Sequence, residues 1–218
     1  MAASACIRAC RVCAAASLLL RNPAMTHMPE LTTERLRVRP FRMDDQDAYV
    51  RVFADSFGPG EDNDRSDWFE WATRNYDALG KLYQPPYGDR AVVLRESDEL
   101  IGSVGFVPCL MPFELLHTFR DEPTIPARPF STPEFGLFYS FGAAFQRQGY
   151  ATEAVSAMID FAFGQWRLKR IVATTGFDND RSIRMMERLG MTVARNDSGE
   201  PPWFQVVGVL DNPASDAD

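Results

Sequence analysis

From Val155 onward, apolar side chains recur at Met158, Ile159, Ala162, Phe163 and Trp166, the three- and four-residue spacing of an amphipathic helix. Ahead of it, Glu134 to Phe141 reads as a strand, and the glycine at 149 marks a turn between the two. Strand, glycine turn and helix together point free backbone N–H groups and a helix dipole at one spot, which suits a phosphate or pyrophosphate. Leu36 to Phe41 alternates apolar and charged residues and predicts another strand. Asp44 predicts the cap of a helix running to about Phe53, which Gly58-Pro59-Gly60 breaks. A second helical stretch, 64–82, carries Trp68, Phe69, Trp71 and Tyr76 and stops at Pro85, Pro86 and Gly88. Arg90 to Arg95 and Leu100 to Val107 read as a hairpin around Ser97-Asp98-Glu99. Pro108 to Pro133 is proline-rich and aperiodic, and predicts a long loop. Arg170 to Thr175 is a β-branched strand. Asn179 to Leu189 is a helix with Asn179 as cap and Gly190 as stop, and Met191 to Arg195 and Phe204 to Leu210 are the closing strands.

A chain of 218 residues suits one domain with a real core. We expect that domain to span residues 29–212, between a tail at 1–28 and a short disordered tail at 213–218. The first tail carries Arg8, Arg11 and Arg21 and no acidic residue; it reads as a targeting peptide, an unstructured extension, or sequence upstream of a start at Met25 or Met28. No apolar run approaches a membrane span. A net charge of −7 argues against general nucleic-acid binding and suits a cationic substrate such as an amine. Cys6, Cys10 and Cys13 have the C-x3-C-x2-C spacing of an iron–sulfur motif, but they sit in the tail without the surrounding barrel such chemistry needs, and no metal is expected. The cysteines form no disulfide framework, which fits a reducing compartment, and a cytoplasmic location is expected.

Gln146-Arg147-Gln148-Gly149-Tyr150-Ala151 resembles the coenzyme A pyrophosphate loop of the GNAT superfamily of N-acetyltransferases, Gln/Arg-x-x-Gly-x-Gly/Ala. The continuation Thr152-Glu153-Ala154 resembles the branch containing the ribosomal-protein-alanine N-acetyltransferases. So do the segments Asp178 to Ser182, Glu187 to Met191 and Leu31 to Pro40, in the right order along Leu31 to Leu210. The resemblance implies an α/β GNAT fold: a mixed, mostly antiparallel twisted sheet flanked by helices, splayed where acetyl-CoA enters. It implies acetyl transfer to a primary amine, a protein N-terminus or a small molecule, by a monomer or homodimer.

For the cofactor, the resemblance points to backbone groups of Gln146, Arg147, Gln148, Gly149, Tyr150, Ala151 and Thr152 for the pyrophosphate. It points to Phe138, Tyr139, Ser140 and Phe141 for the pantetheine arm, and to Asn179, which reads equally well as a helix cap. Aligned on Asn179, the tyrosine acid of many family members becomes Met186. Ser182 is then the candidate to assist the thiolate, and also reads as an ordinary first-turn serine. Glu134 is the candidate base, with Glu200 the alternative. Trp68, Trp71, Tyr76 and Phe113 read as acceptor-pocket lining or as core. No cysteine lies at a motif position, so direct attack is expected without an acyl-enzyme. The absent tyrosine leaves a rival reading, an acyl-CoA-binding regulatory domain with weak turnover.

Overall fold

The computed structural model describes residues 27–58, 66–120 and 124–216. Its centre is one eight-stranded sheet in the order β1-β2-β3-β4-β5-β6-β8-β7. The strands are β1 (Leu31–Thr32), β2 (Leu36–Arg39), β3 (Gly88–Leu94), β4 (Leu100–Met111), β5 (Thr132–Phe141), β6 (Arg170–Thr175), β7 (Thr192–Arg195) and β8 (Val206–Asp211). Among the described residues the helices are α1 (Gln46–Phe57), α2 (Ser66–Lys81), α3 (Tyr150–Gly164) and α4 (Asp180–Arg188), with short 3-10 turns between elements. Every neighbouring pair is antiparallel except β5 and β6, which α3 joins as a parallel crossover.

The pleat sends alternate residues to opposite faces, and the sheet is buried on both. On one face Val92, Val104 and Phe106 pack under Val155, Met158 and Ala162 of α3 and Met185 and Met186 of α4. On the other, Ala91 and Val93 pack under Tyr49 and Val52 of α1 and Phe69 and Ala72 of α2. A third cluster joins Phe113 and Leu116 to Val172, Phe204, Val207 and Val209. Since Ile171 and Ala173 face α3 and α4, the neighbouring Val172 places this cluster on the α1/α2 side, over the far half of the sheet.

Several boundaries differ from expectation. The 108–133 loop is shorter than its composition suggests: β4 pairs with β5 as far as Met111↔Thr132, including Pro108↔Phe135 and Leu110↔Pro133. The pairing of β3 with β4 ends at Gly88↔Phe106, so beyond it β4 has a free edge on which a proline without an N–H is tolerated. The connection that follows contributes Phe113 and Leu116 to the core. Asp44 does not cap α1; Met43–Asp45 form a 3-10 turn, and Asp45 is the cap residue. The Asp45 carboxylate instead takes two bonds from the buried Arg39, at 2.6 and 2.9 Å. The boundary expected after residue 28 falls inside the core, because Met28 is only 3% exposed and its carbonyl accepts from the buried Arg90 at 3.0 Å. Part of the closing tail, Pro213–Asp216, forms a 3-10 turn held by Asn212. Cys6, Cys10 and Cys13 lie outside the described residues.

Candidate active site

The site begins where two strands part. β5 and β6 share a single register pair, Gly136↔Val172. From Leu137 on, β5 therefore turns an edge without β6 pairing toward a widening gap. A strand edge carries N–H and C=O groups that need partners, so the Phe138–Phe141 segment is suited to an extended polar ligand.

The same strand leads into the glycine turn. Arg147 and Gly149 both have positive φ, 61° and 83°, and α3 starts at Tyr150. Left-handed residues beside a helix start turn successive N–H groups toward one point, and the first helical N–H groups lack intrahelical acceptors. Such a backbone arrangement suits an anion. Gln146 holds the approach: its Nε2 donates to Phe141 O at 3.0 Å, and its Oε1 accepts from Arg181 Nη1 of α4 at 2.7 Å. Gln148 donates back to Ala144 O at 2.8 Å, and the Arg147 side chain stays exposed.

One organiser of this turn comes from a distant part of the chain. Arg35 donates to Gln148 O at 3.0 Å, pairs with Glu153 in the first turn of α3, and lies 4.4 Å from the centre of the Tyr150 ring. The hydrogen bond to Glu153 is the main reason its guanidinium is held more firmly protonated than usual. Glu153 also accepts from Thr33 Oγ1 at 2.6 Å and from the Arg35 N–H at 2.8 Å. Thr152, beside it, donates to Met185 Sδ at 3.4 Å. Within the stretch Leu31 to Pro40, residues Thr33 to Arg35 clamp the turn; the sequence offered the motif but not this partner.

Asn179 is the cap of α4, its Oδ1 accepting from Ser182 N at 3.2 Å. Ser182 faces Tyr139 of β5. Burial pushes the Tyr139 phenol up, while Ser182 and Arg188 pull it the other way. The Tyr139 hydroxyl is buried without a well-formed hydrogen bond among the described residues. The strand motif points to Tyr139 for its backbone; its side chain is a polar group that no local pattern marks. Met186, at the family's tyrosine position, is buried against Gly208 in the core, so that position faces away from the gap.

Glu134 lies elsewhere. It is five residues before Tyr139 along β5 and on the opposite face, so roughly 16 Å of strand separates them. Its Oε1 accepts from Arg170 Nε at 2.8 Å and from Nη2 as well. Arg170 in turn lies 4.6 Å from the centre of the Phe113 ring, and its guanidinium is raised chiefly by the hydrogen bond to Glu134. The structure does not bring Glu134 and Ser182 together. Cys109 pairs in register with Glu134, and burial, with that carboxylate adding to it, pushes the thiol up to about 11. A thiol so protonated is a poor nucleophile. Glu200 is exposed in the turn before β8. Trp68 and Trp71 line a cavity under α1 and α2, whereas Tyr76 is half-buried against β3, its hydroxyl donating to Asp89 O, and Phe113 belongs to the third cluster.

Known proteins share this architecture. An uncharacterized N-acetyltransferase of Bacillus subtilis strain 168, YnaD, is 28% identical over 165 residues, 74% of this chain and 81% of its own. The crystal structure of an acetyltransferase from Agrobacterium tumefaciens strain C58 superposes with a TM-score of 0.61 at 25% identity, covering 84% of this chain and 95% of its own. A ribosomal-protein-S5-alanine acetyltransferase from Vibrio fischeri shares the fold at a TM-score of 0.59 and 17% identity, covering 85% and 98%. A family model described as an acetyltransferase (GNAT) domain matches residues 35–192, and with the parted strands and the glycine turn in place the chain belongs to the GNAT family of acetyltransferases.

Proposed function

We propose that the chain transfers an acetyl group from acetyl-CoA to a primary amine by direct attack of the amine. The observation that carries this reading is the parting of β5 from β6 after one register pair, on the strand that leads into the left-handed turn at Gly149 and the start of α3. Acetyl-CoA supplies the activated thioester. Backbone N–H groups of Arg147 to Thr152 bind its pyrophosphate, and the β5 edge at Phe138 to Phe141 pairs with its pantetheine arm. Asn179 uses Oδ1 as a cap and offers Nδ2 to the same arm.

In the transfer, a bond forms from the amine nitrogen to the acetyl carbon and the carbon–sulfur bond breaks. The ammonium proton leaves through a chain of waters toward Glu134 on the α1/α2 face. Ser182 and Tyr139, on the α3/α4 face, stabilise or protonate the sulfur. A coenzyme A thiol with an ordinary pKa of about 8.5 leaves readily, so the hydroxyls assist a step that already runs. The raised Cys109 thiol fits a route without a cysteine acyl-enzyme.

The test has two arms. Calorimetric titration with acetyl-CoA should give one saturable site per chain, and thiol release should depend on added primary amine. Failure of acetyl-CoA to bind the full chain would overturn the reading.

A further inference from the structure

The face of the sheet that carries α1 and α2 holds a cavity of about 360 Å³, which the transfer chemistry leaves unassigned. Its walls include Phe53 and Phe57 of α1, Trp68 and Trp71 of α2, Tyr87, and Phe138 of β5. We propose that this cavity receives the body of the acceptor, and that the acceptor is a small monoamine carrying an aromatic or apolar body. The proposal deepens the acetyltransfer reading and rests on it.

Position supports this assignment first. Phe138 belongs both to the cavity and to the β5 segment whose edge faces the gap, and its ring stacks on Phe57 at 6.0 Å and 15°. It lies two residues beyond Gly136, where β5 leaves β6. A body seated here is thus next to the strand assigned to the thioester arm. Glu134, the candidate base, points to the same face of β5, as alternation along the strand requires.

Side-chain chemistry narrows the ligand. Phe57 is 57% exposed and Trp71 is 50% exposed, although both are large apolar groups on helices whose other aromatics are buried or half-buried. Large apolar groups gathered around a cavity, not scattered over a surface, mark a binding site. Among the described lining residues Asp89 is the one carboxylate, and there is no lysine or arginine. Aromatic faces and one carboxylate favour a single cationic head on an apolar body. Against the described walls, a polyamine or aminosugar would bring several ammonium groups to a single carboxylate. The volume lies near the lower end of the range for small-molecule pockets, about 300–1,000 Å³, which suits one ring and a short arm.

Two measurements on the full chain test it. Calorimetry without acetyl-CoA should show saturable binding of 2-phenylethylamine and much weaker binding of ethylamine and spermidine. With acetyl-CoA, thiol release should favour 2-phenylethylamine over ethylamine and spermidine by at least about tenfold in kcat/KM, in line with the discrimination that a few buried methylenes provide. Phe57→Ala, at an exposed position, should bring that ratio toward one and leave acetyl-CoA affinity unchanged. Equal turnover of the three amines, or a ratio unaltered by Phe57→Ala, would overturn the proposal. So would turnover of a peptide with N-terminal phenylalanine in the absence of turnover of the free amine, which would assign the cavity to a protein terminus. If acetyl-CoA fails to bind, the transfer reading falls and the calorimetry still decides: Phe57-dependent capture of 2-phenylethylamine supports the cavity assignment, and no capture ends it.

Discussion

Arg35 closes on Glu153 with Nε 2.7 Å from Oε2, joining the loop before β2 to the first turn of α3. Through its bond to Gln148 O, the same guanidinium fixes the backbone of the glycine turn. The Arg35 side chain is 41% exposed, and an ion pair so open to water adds little to stability. Arg35→Ala should therefore move Tm only slightly, yet weaken acetyl-CoA binding by about tenfold. Calorimetry beside a thermal melt separates the effects; a large drop in Tm with unchanged affinity would make the arginine a purely structural clamp.

Acid should expose the same contact. Burial disfavours the Glu153 carboxylate, but the Thr33 hydroxyl, the Arg35 N–H and the guanidinium outweigh it and hold its pKa below the ordinary 4.5. A carboxyl depressed in the folded state gives stability that is present above the unfolded value and is lost as pH falls through the folded one. The denaturant midpoint should be nearly flat from about pH 7 to about pH 6 and fall once the pH passes below the ordinary carboxylate value. Glu153→Gln should lower the midpoint at neutral pH and make the acid fall shallower. Parallel curves for the two proteins would refute the linkage.

Gly149 has φ +83°, and a Cβ placed there would stand 3.3 Å from Arg35 Nη2. Gly149→Val combines backbone strain of about 1–3 kcal/mol with pressure on the clamp and a side chain over the N–H groups. We expect a folded but less stable protein with acetyl-CoA affinity reduced by more than about tenfold. Unchanged affinity in a folded variant would place the pyrophosphate elsewhere.

The opposed positions of Glu134 and Tyr139 give a pattern for kinetics. Loss of a general base typically costs about 10²–10⁴-fold, so Glu134→Gln should lower turnover within that range and flatten the acidic limb of the pH profile. Ser182→Ala and Tyr139→Phe should each cost less than about tenfold. Acting on one sulfur, they should combine to less than the product of the single losses. Arg170→Ala is the control for the ion pair. If it alone reproduces the whole effect of Glu134→Gln, the carboxylate serves to tie β5 to β6 and is not a base.

Truncation tests the beginning of the domain. Arg90 is 1% exposed and donates to the carbonyls of Met28 and Pro29, at 3.0 and 3.4 Å. Removing residues 1–26 leaves both acceptors in place and should preserve the melting temperature. Removing residues 1–29 strips carbonyl partners from a buried cation, a loss of about 1.5–3 kcal/mol when no water replaces them. Equal melting temperatures for the two truncations would show that solvent reaches Arg90.

What the sequence disclosed followed from range. The turn at 146–151 was legible because glycine, helix periodicity and the preceding strand all lie within one local stretch. Asn179 was legible as a cap for the same reason. Arg35 and Glu153 are 118 residues apart, and Glu134 and Arg170 are 36 apart, so neither pairing leaves a local pattern. The hydroxyl of Tyr139 was hidden by alternation, since a strand aromatic ordinarily reads as core. Pro108 and Pro133 read as loop residues because the free edge that tolerates them is a property of the assembled sheet.

The lone register pair between Gly136 and Val172 has a mechanical consequence. Beyond that pair the sheet opens as a wedge, β1 to β5 on one side and β6 to β8 on the other, held together by the shared core and the Glu134–Arg170 ion pair. A ligand lying in the wedge acts as a stave shared by both sides. Its arrival should stiffen the whole body, with amide exchange slowing along both β5 and β6, far from the pyrophosphate turn. Substrate capture would then also be the step that makes the scaffold rigid.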